Sequence, residues 1–222
     1  MNDQSAPAAV NTANDRMSLQ RRLFCVALAL LVATAGIAGV LRYHHVRYRH
    51  FAVHEPGKVY RSAWVDDDVF EELIRKYHIR TVVNLCSPGE MGDRSVGQRQ
   101  AVKHAGARLI ELPFPPNNTW DTDWPAVAEM EEILDDPTSY PIWIHCQHGR
   151  ERTVKALSIY DIRRRGMTAQ ESLKRMPLFG MDHPWPIVTF AHNYEEEQTC
   201  HDGSTCIPHV AESHRPERTR TK

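Results

Sequence analysis

The sequence lacks an excess of charge of either sign: 27 lysines and arginines stand against 28 aspartates and glutamates, for a formal net charge of -1. A protein that binds nucleic acid through its phosphate backbone normally carries a clear basic excess. The composition therefore predicts no general nucleic-acid partner. Any anion that the protein binds must be held by a local group of residues.

Cysteine is also scarce, with five in 222 residues, and their placement predicts no disulfide framework. Cys25 lies in an apolar run, and Cys86 and Cys146 each end a strand-like run. Cys200 and Cys206 lie close together in a polar tail, where they either pair in an oxidising compartment or remain idle thiols. The histidines near them do not give the spacing of a common zinc site, so we expect no metal there.

Long apolar runs are absent except for one, LFCVALALLVATAGIAGVL at 23–41. As a helix rising ~1.5 Å per residue, this run nearly spans a hydrocarbon core of ~30 Å. We interpret 21–42 as a membrane-anchor helix, with 23–41 in the membrane. A cleaved signal peptide is the alternative because 33–35 has a small-x-small form, but the run is longer than the ~7–15 residues of a typical signal core. Arginines flank the run on both sides, so they do not decide its orientation.

The rest of the chain is long enough for one well-buried domain, and it contains no internal repeat. The polar segment 1–20 is predicted to be a disordered tail and 43–50 a linker. The folded domain is predicted to span 51–197. We expect 198–222 to be a second disordered tail.

Strand-like and helix-like segments alternate through the predicted domain. Strands are predicted around 53 and 59–60, at 80–86, at 107–112 and at 141–145, and helices at 66–77, 95–104, 124–134, 153–165, from 168 onward and at 186–196. This alternation predicts an α/β fold with a mostly parallel central sheet covered by helices on both faces. Ligands of such sheets bind at the carboxyl ends of the strands, and Cys146 lies at such an end.

The stretch PIWIHCQHGRERT, 141–153, carries the strongest chemical signal. A buried strand runs into Cys146, a short loop follows, and a helix begins. Backbone N–H groups of such a loop, together with the helix dipole, form a cradle for an anion. Gly149 suits the bend, and Arg152 can bind two phosphate oxygens with its planar fork. The same positive environment favours the thiolate of Cys146, which would be a nucleophile beneath a bound phosphate.

The segment His145–Thr153, H-C-x-x-G-x-x-R-T, resembles the signature of the cysteine-dependent protein tyrosine phosphatase superfamily, particularly its compact dual-specificity and atypical branches. The stretches PGKVYRSAW and IRTVVNLC are similar to the first two strands of bacterial and fungal members. The resemblance covers about 51–196. It implies a protein tyrosine phosphatase-like fold. Membrane-anchored bacterial members are common, which implies a single-pass protein of the bacterial inner membrane, with the side of the catalytic domain left open.

The resemblance also implies roles for individual residues. Cys146 would attack phosphorus, Arg152 would bind the phosphoryl oxygens, and Thr153 would donate its hydroxyl to the sulfur when the thiolate leaves. His145 would support the loop from behind. The remaining residues of the phosphate-binding loop would be Gln147, His148, Gly149, Arg150 and Glu151. No metal and no other cofactor is implied.

The general acid is less clear from the sequence. Many members carry an aspartate on the loop after the strand predicted at 107–112, but here that loop begins PFPPNN, without a carboxylate. The nearest candidates are Asp121 and Asp123. Asp123 precedes a predicted helix start and is favoured as a cap, so we assign the general acid to Asp121. A misplaced acid would favour substrates whose leaving group is already stable.

Cys86 offers a second resemblance, because VVNLC is similar to the equivalent strand of the phosphatase and tensin homologue. There a cysteine can bridge to the catalytic one under oxidation. The resemblance thus implies a reversible Cys86–Cys146 disulfide that would protect the thiolate. The alternative, which we favour, is a buried core cysteine.

Three functions are consistent with the sequence. The first is a phosphatase that forms a phosphocysteine and acts on phosphotyrosine, phosphoserine or phosphothreonine in a protein, or on a phosphorylated inositol or lipid. The second is a phosphate-binding pseudophosphatase with weak or no activity, against which the intact Cys146, Arg152 and Thr153 argue. The third is a rhodanese-like sulfurtransferase, which the upstream similarity disfavours.

Overall fold

The computed structural model describes residues 12–114, 119–176 and 183–201. The chain divides into two compact units, Met1–Arg47 and Tyr48–Lys222. Residues 1–11 of the predicted N-terminal tail and residues 202–222 of the predicted C-terminal tail lie outside the described residues.

The described part of the first unit is a single helix, α1, Thr12–Tyr48. Its last residue, Tyr48, is counted in the second unit. Its Arg21–Tyr48 part is long and apolar enough to cross a membrane, and none of it is buried in the structure. A signal sequence meets the same criterion. The helix extends beyond the predicted anchor at both ends, into the predicted disordered tail and the predicted linker, because no proline interrupts the sequence between its bounds.

The second unit is built on a five-stranded sheet. Its strands are β1 Ala52–Glu55, β2 Val59–Ser62, β3 Thr81–Asn84, β4 Arg108–Glu111 and β5 Ile142–His145. Their order across the sheet is β1-β2-β5-β3-β4, in which β1 and β2 are antiparallel and every other pair is parallel. The predicted α/β fold with a mostly parallel sheet is therefore confirmed.

Six helices accompany the sheet in the described part of this unit. They are α2 Asp67–Tyr77, α3 Arg94–His104, α4 Pro125–Asp135, α5 Glu151–Arg165, α6 Ala169–Arg175 and α7 Trp185–His201. A short 3₁₀ turn, Pro137–Ser139, joins α4 to β5. All residues of β3 and β5 are buried, as strands covered by helices on both faces must be. Helix α7 continues past the predicted end of the domain at 197.

The register of the three central strands places their ends side by side. His145, the last residue of β5, lies opposite Ser62 of β2 and opposite Asn84 of β3. The residues that follow these positions therefore emerge together at the carboxyl edge of the sheet. Cys146 is one of them, and the two neighbouring chain segments, after β2 and after β3, flank it on either side.

Candidate active site

The sulfur of Cys146 lies at the centre of the site. Cys146 follows β5 directly and is 2% exposed. Its Sγ accepts hydrogen bonds from the backbone N–H of Gly149 at 3.2 Å and from the hydroxyl Oγ1 of Thr153 at 3.1 Å. Both hydrogen bonds hold the sulfur in a fixed position at the base of the loop. The structure thus brings Cys146, Gly149 and Thr153 together, as the signature predicts.

The loop after Cys146 packs tightly on the segment that follows β2. The carbonyl of Gln147 accepts from the backbone N–H of Trp64 at 3.2 Å. Gly149 has φ +64°, in the left-handed region, and a Cβ added there would lie 2.5 Å from the nitrogen of Ala63 and 2.6 Å from the carbonyl of Ser62. Glycine is therefore required at this position both for its backbone conformation and for the space it leaves.

Arg152 lies in the first turn of α5 with only 8% of its surface exposed. Its Nη1 donates to the carbonyl of Leu85 at 3.1 Å and to Oε2 of Glu90 at 2.6 Å, and its Nη2 donates to Oε1 of Glu90 at 2.6 Å. A guanidinium has five N–H groups in one plane. The Nε–H and one Nη2–H, which are neighbours on one edge of the plane, stay available as a fork for two oxygens of a phosphate.

Glu90 is a site residue that the sequence analysis missed. It lies on the loop after β3, and its Oε2 also accepts from the backbone N–H of Ser87 at 2.9 Å. The hydrogen bond from Arg152 holds the pKa of Glu90 below its usual range. In the sequence, the only indication of a site role for Glu90 is that a carboxylate follows a buried strand closely. This indication points to the cysteine loop only once β3 is known to lie beside β5.

His145 is fully buried behind the loop, where a chain of hydrogen bonds reaches it. The Nδ2 of Asn84 donates to Oε1 of Gln98 at 3.1 Å, and Nε2 of Gln98 lies 2.6 Å from Nε2 of His145. Since the oxygen of Gln98 accepts from Asn84, its nitrogen donates and His145 Nε2 accepts. Burial lowers the pKa of His145 to about 3, so the ring stays neutral. Asn84 Oδ1 also accepts from the backbone N–H of Cys86 at 2.9 Å.

Cys86 is buried at the end of β3, with 5% exposure. Burial raises the pKa of its thiol to about 12. Cys86 and Cys146 are both free thiols in this structure. The disulfide between them stays a prediction.

Asp121 and Asp123 are both exposed on the segment between β4 and α4. No hydrogen bond joins Asp121 to the Cys146 loop among the described residues, and 115–118, which include part of the PFPPNN stretch, lie outside them. The predicted capping role of Asp123 is wrong. The N-cap residue of α4 is Trp124, one position later than predicted, and no side chain caps the helix.

The other loop residues differ in exposure. His148 and Arg150 are exposed, whereas Gln147 and Glu151 are partly buried. Across the described ranges, no group of three or more His, Cys, Asp or Glu side chains is arranged to hold a metal ion.

No protein-family model matches the sequence, and no curated protein matches it. Solved structures do. A mutant form of Tk-PTP is similar with a TM-score of 0.54 and 18% identity over 68% of this chain and 97% of that one. The catalytic core of the PP-IP phosphatase SIW14 from S. cerevisiae is similar with a TM-score of 0.54 and 21% identity over 69% of this chain and 90% of that one.

PTPMT1 is similar with a TM-score of 0.52 and 16% identity over 67% of this chain and 96% of that one. At these identities the similarity establishes the fold. The chain has the fold of the cysteine-dependent protein tyrosine phosphatase superfamily, which confirms the resemblance drawn from His145–Thr153.

Proposed function

We propose that this protein is a phosphatase that hydrolyses phosphomonoesters through a phosphocysteine intermediate. One observation carries the proposal: the sulfur of Cys146 accepts two hydrogen bonds at the base of a loop whose Arg152 keeps an N–H fork for a ligand. A nucleophile and an anion receptor are thereby held in one short segment. Holding the two reacting groups in place removes much of the entropic cost of the reaction.

In the first step, the thiolate of Cys146 attacks phosphorus, a P–S bond forms, and the bond to the leaving oxygen breaks. Asp121 gives its proton to that oxygen. Arg152 and the loop N–H groups of Gln147–Arg152 bind the three other oxygens, whose charge they stabilise in the transition state. The fixed orientation of Arg152, held by Glu90, means that its donors need no rearrangement as the reaction proceeds.

In the second step, water attacks the phosphocysteine and gives a proton to the Asp121 carboxylate, the P–S bond breaks, and inorganic phosphate leaves. The hydroxyl of Thr153, 3.1 Å from the sulfur, stabilises the thiolate as it departs. His145, neutral and buried, supports the loop and takes no part in proton transfer. The cycle consumes one water and needs no metal or redox cofactor.

The proposed substrates are a phosphorylated protein and a phosphorylated inositol or lipid. Two of the similar structures favour including inositol compounds: SIW14 is named as a PP-IP phosphatase, and PTPMT1 has been solved in complex with PI(5)P. The exposed His148 and Arg150 beside the loop suit a substrate with more than one phosphate.

We also propose that α1 anchors the enzyme in a membrane, as a single-pass protein of the bacterial inner membrane. The support is the length and apolar composition of Arg21–Tyr48. Resistance of the full chain to alkaline carbonate extraction supports the anchor. An N-terminus at 36 in the mature protein would instead identify a cleaved signal peptide.

The test of the activity is phosphate release from para-nitrophenyl phosphate by the full chain, by Cys146→Ser and by Arg152→Lys. We expect release that both substitutions reduce by at least about a thousandfold, since nucleophile and receptor act as a unit. Persulfide transfer from thiosulfate is measured in parallel. Turnover in that assay alone would identify a sulfurtransferase, and binding of phosphate without turnover in either would identify a phosphate-binding module.

A further inference from the structure

Lys155 is a charged side chain buried inside the domain. It lies on α5, two residues after Thr153, and it is 0% exposed. Burying an ammonium is costly unless the group makes contacts that offset the lost hydration. The contacts of Lys155 are therefore informative about what the residue does.

The ammonium of Lys155 joins α5 to two other parts of the domain. Its Nζ donates to the backbone carbonyl of Thr119, in the segment between β4 and α4. The same Nζ lies 5.5 Å from the ring centroid of Phe190 on α7, within the range of a cation–π interaction. Phe190 in turn packs edge-on against Phe114, at 6.2 Å between ring centroids, where the same connection leaves β4.

Helix α7 holds the neighbouring residues of this segment. Asn193 Nδ2 donates to the carbonyl of Trp120 at 3.2 Å, and the Trp120 ring lies 4.8 Å from that of Trp185. The hydroxyl of Thr122 donates to a carboxylate oxygen of Glu197. Asp121 is thus exposed but lies between two residues that are held in place.

The hydrogen bond from Lys155 to Thr119 joins the segment directly to α5. Helix α5 carries Arg152 and Thr153, so a bond from α5 to Thr119 sets the position of the segment relative to the phosphate-binding loop. The contacts from α7 fix the segment to the domain, but not directly to that helix.

We propose that Lys155 is a positioning residue. It holds the 119–122 segment, which includes the carboxyl group of Asp121, in a fixed position relative to the helix that carries Arg152. This inference rests on the proposed function. The side chain acts through two contacts: it donates a hydrogen bond to the Thr119 carbonyl and it faces the Phe190 ring.

The charge of Lys155 is kept at a cost. Burial lowers the pKa of Lys155 to about 8, with Arg152 lowering it further and Glu151 opposing the shift. The folded structure therefore disfavours the ammonium relative to a lysine in water. The Thr119 carbonyl and the Phe190 ring, which face the ammonium from other described elements, offset part of this cost.

The experiment compares the full-length wild type with Lys155→Met, and uses Lys174→Met, an exposed lysine on α6, as the matched control. The first measurement is kcat/KM for an alkyl phosphate and for para-nitrophenyl phosphate at a single near-neutral pH. An alkoxide needs a proton from the general acid far more than a nitrophenolate does. We expect Lys155→Met to lower kcat/KM for the alkyl phosphate about 10-fold or more, and for the nitrophenyl ester by less than about threefold.

The second measurement is independent of activity. Amide hydrogen exchange of 119–123, expressed as protection relative to the intrinsic rate, reports whether the segment is held. We expect the protection of the wild type to be lost in Lys155→Met. The Lys174→Met chain is expected to behave as the wild type in both measurements.

Two results would overturn the proposal. One is an equal loss for both substrates, together with reduced protection throughout the domain, which is the behaviour of a residue that only stabilises the core. The other is unchanged protection of 119–123 in Lys155→Met. If Lys155→Met does not fold, Lys155→Gln, which keeps a donor for Thr119 without the charge, gives the same test, and we expect it to retain part of the protection and part of the alkyl-phosphate activity. A wild type that releases no phosphate would refute the proposed function, whereas the exchange measurement would still decide whether Lys155 holds the segment.

Discussion

Replacing Glu90 by glutamine tests whether Arg152 is held ready for phosphate by its carboxylate partner. The side chains of Arg152 and Glu90 are 10% and 21% exposed, and two hydrogen bonds of 2.6 Å join them. Glutamine keeps the shape of the side chain. It replaces one accepting oxygen by an amide that cannot accept from the guanidinium, and it removes the negative charge.

The expected loss follows from the strength of one such bond. A hydrogen bond between charged groups contributes about 1.5–3 kcal/mol. Each 1.36 kcal/mol corresponds to a factor of ten in rate, so full transfer of this loss to the transition state would lower kcat/KM about 10- to 150-fold. Leu85 still holds Nη1 in the variant. We therefore expect a decrease near the lower end, about 10- to 30-fold.

The assay is kcat/KM with para-nitrophenyl phosphate, together with the dissociation constant of orthovanadate. Glu111→Gln is the matched control, because Glu111 forms a two-bond pair with Arg99 at an exposed position on the edge strand β4. We expect the control to change neither value by more than about twofold, since exposed pairs contribute little. If Glu90→Gln binds vanadate more tightly and turns over faster, then Glu90 competes with phosphate for Arg152, and the assignment of a separate fork is refuted.

The pH dependence of the Glu90 contribution has a definite sign. The pKa of Glu90 is lowered in the folded protein, chiefly by its hydrogen bond from Arg152. Its stabilising effect is therefore complete above the usual carboxyl pKa and is lost as the pH falls through the lowered value. At pH values well above the usual carboxyl pKa the contribution is constant. A rate change in that range must have another origin.

Three further predictions concern the loop and its supports. Gly149→Ala should abolish most phosphate release, by about a hundredfold or more, because the new Cβ displaces the loop from Ala63; circular dichroism should show a folded domain, and near-normal activity would contradict the packing argument. Gln98→Leu should lower the free energy of unfolding by about 1–3 kcal/mol in urea, because it leaves buried polar groups of Asn84 and His145 without their partner; an unchanged midpoint would remove this chain of hydrogen bonds from the account. Asp121→Asn should slow hydrolysis of alkyl phosphates more than of aryl phosphates; equal effects would exclude Asp121 as the acid.

The sequence predicts the cysteine loop well because its parts are contiguous. A buried strand, a loop with glycine at the bend and a helix start follow one another within 141–153, so their chemistry can be read without knowing the tertiary structure. Thr153 and Gly149 both contact the sulfur within seven residues of it along the chain. Local geometry alone makes these contacts.

The residues that the sequence analysis missed belong to other segments. Glu90 and Gln98 reach the site from the loop after β3 and from α3, and nothing local in their sequence identifies the strand beside which they fold. The helix cap assigned to Asp123 failed for a local reason: α4 begins at Pro125, so Trp124 is the N-cap residue and Asp123 lies one position too early.

Strand register is what turns these separate segments into one site. Because Ser62 and Asn84 both lie opposite His145, the chain after β2 supports Gln147 and Gly149 from one side, while the chain after β3 supplies the carbonyl of Leu85 to Arg152 from the other. A slip of β3 by one residue would turn Asn84 to the opposite face of the sheet and move Leu85 away from the guanidinium. All four residues of β3 are buried, so a slip would disrupt the packing of β3 against its neighbours on both faces of the sheet. The geometry of the phosphate-binding loop is therefore set by the core of the sheet as much as by the signature sequence itself.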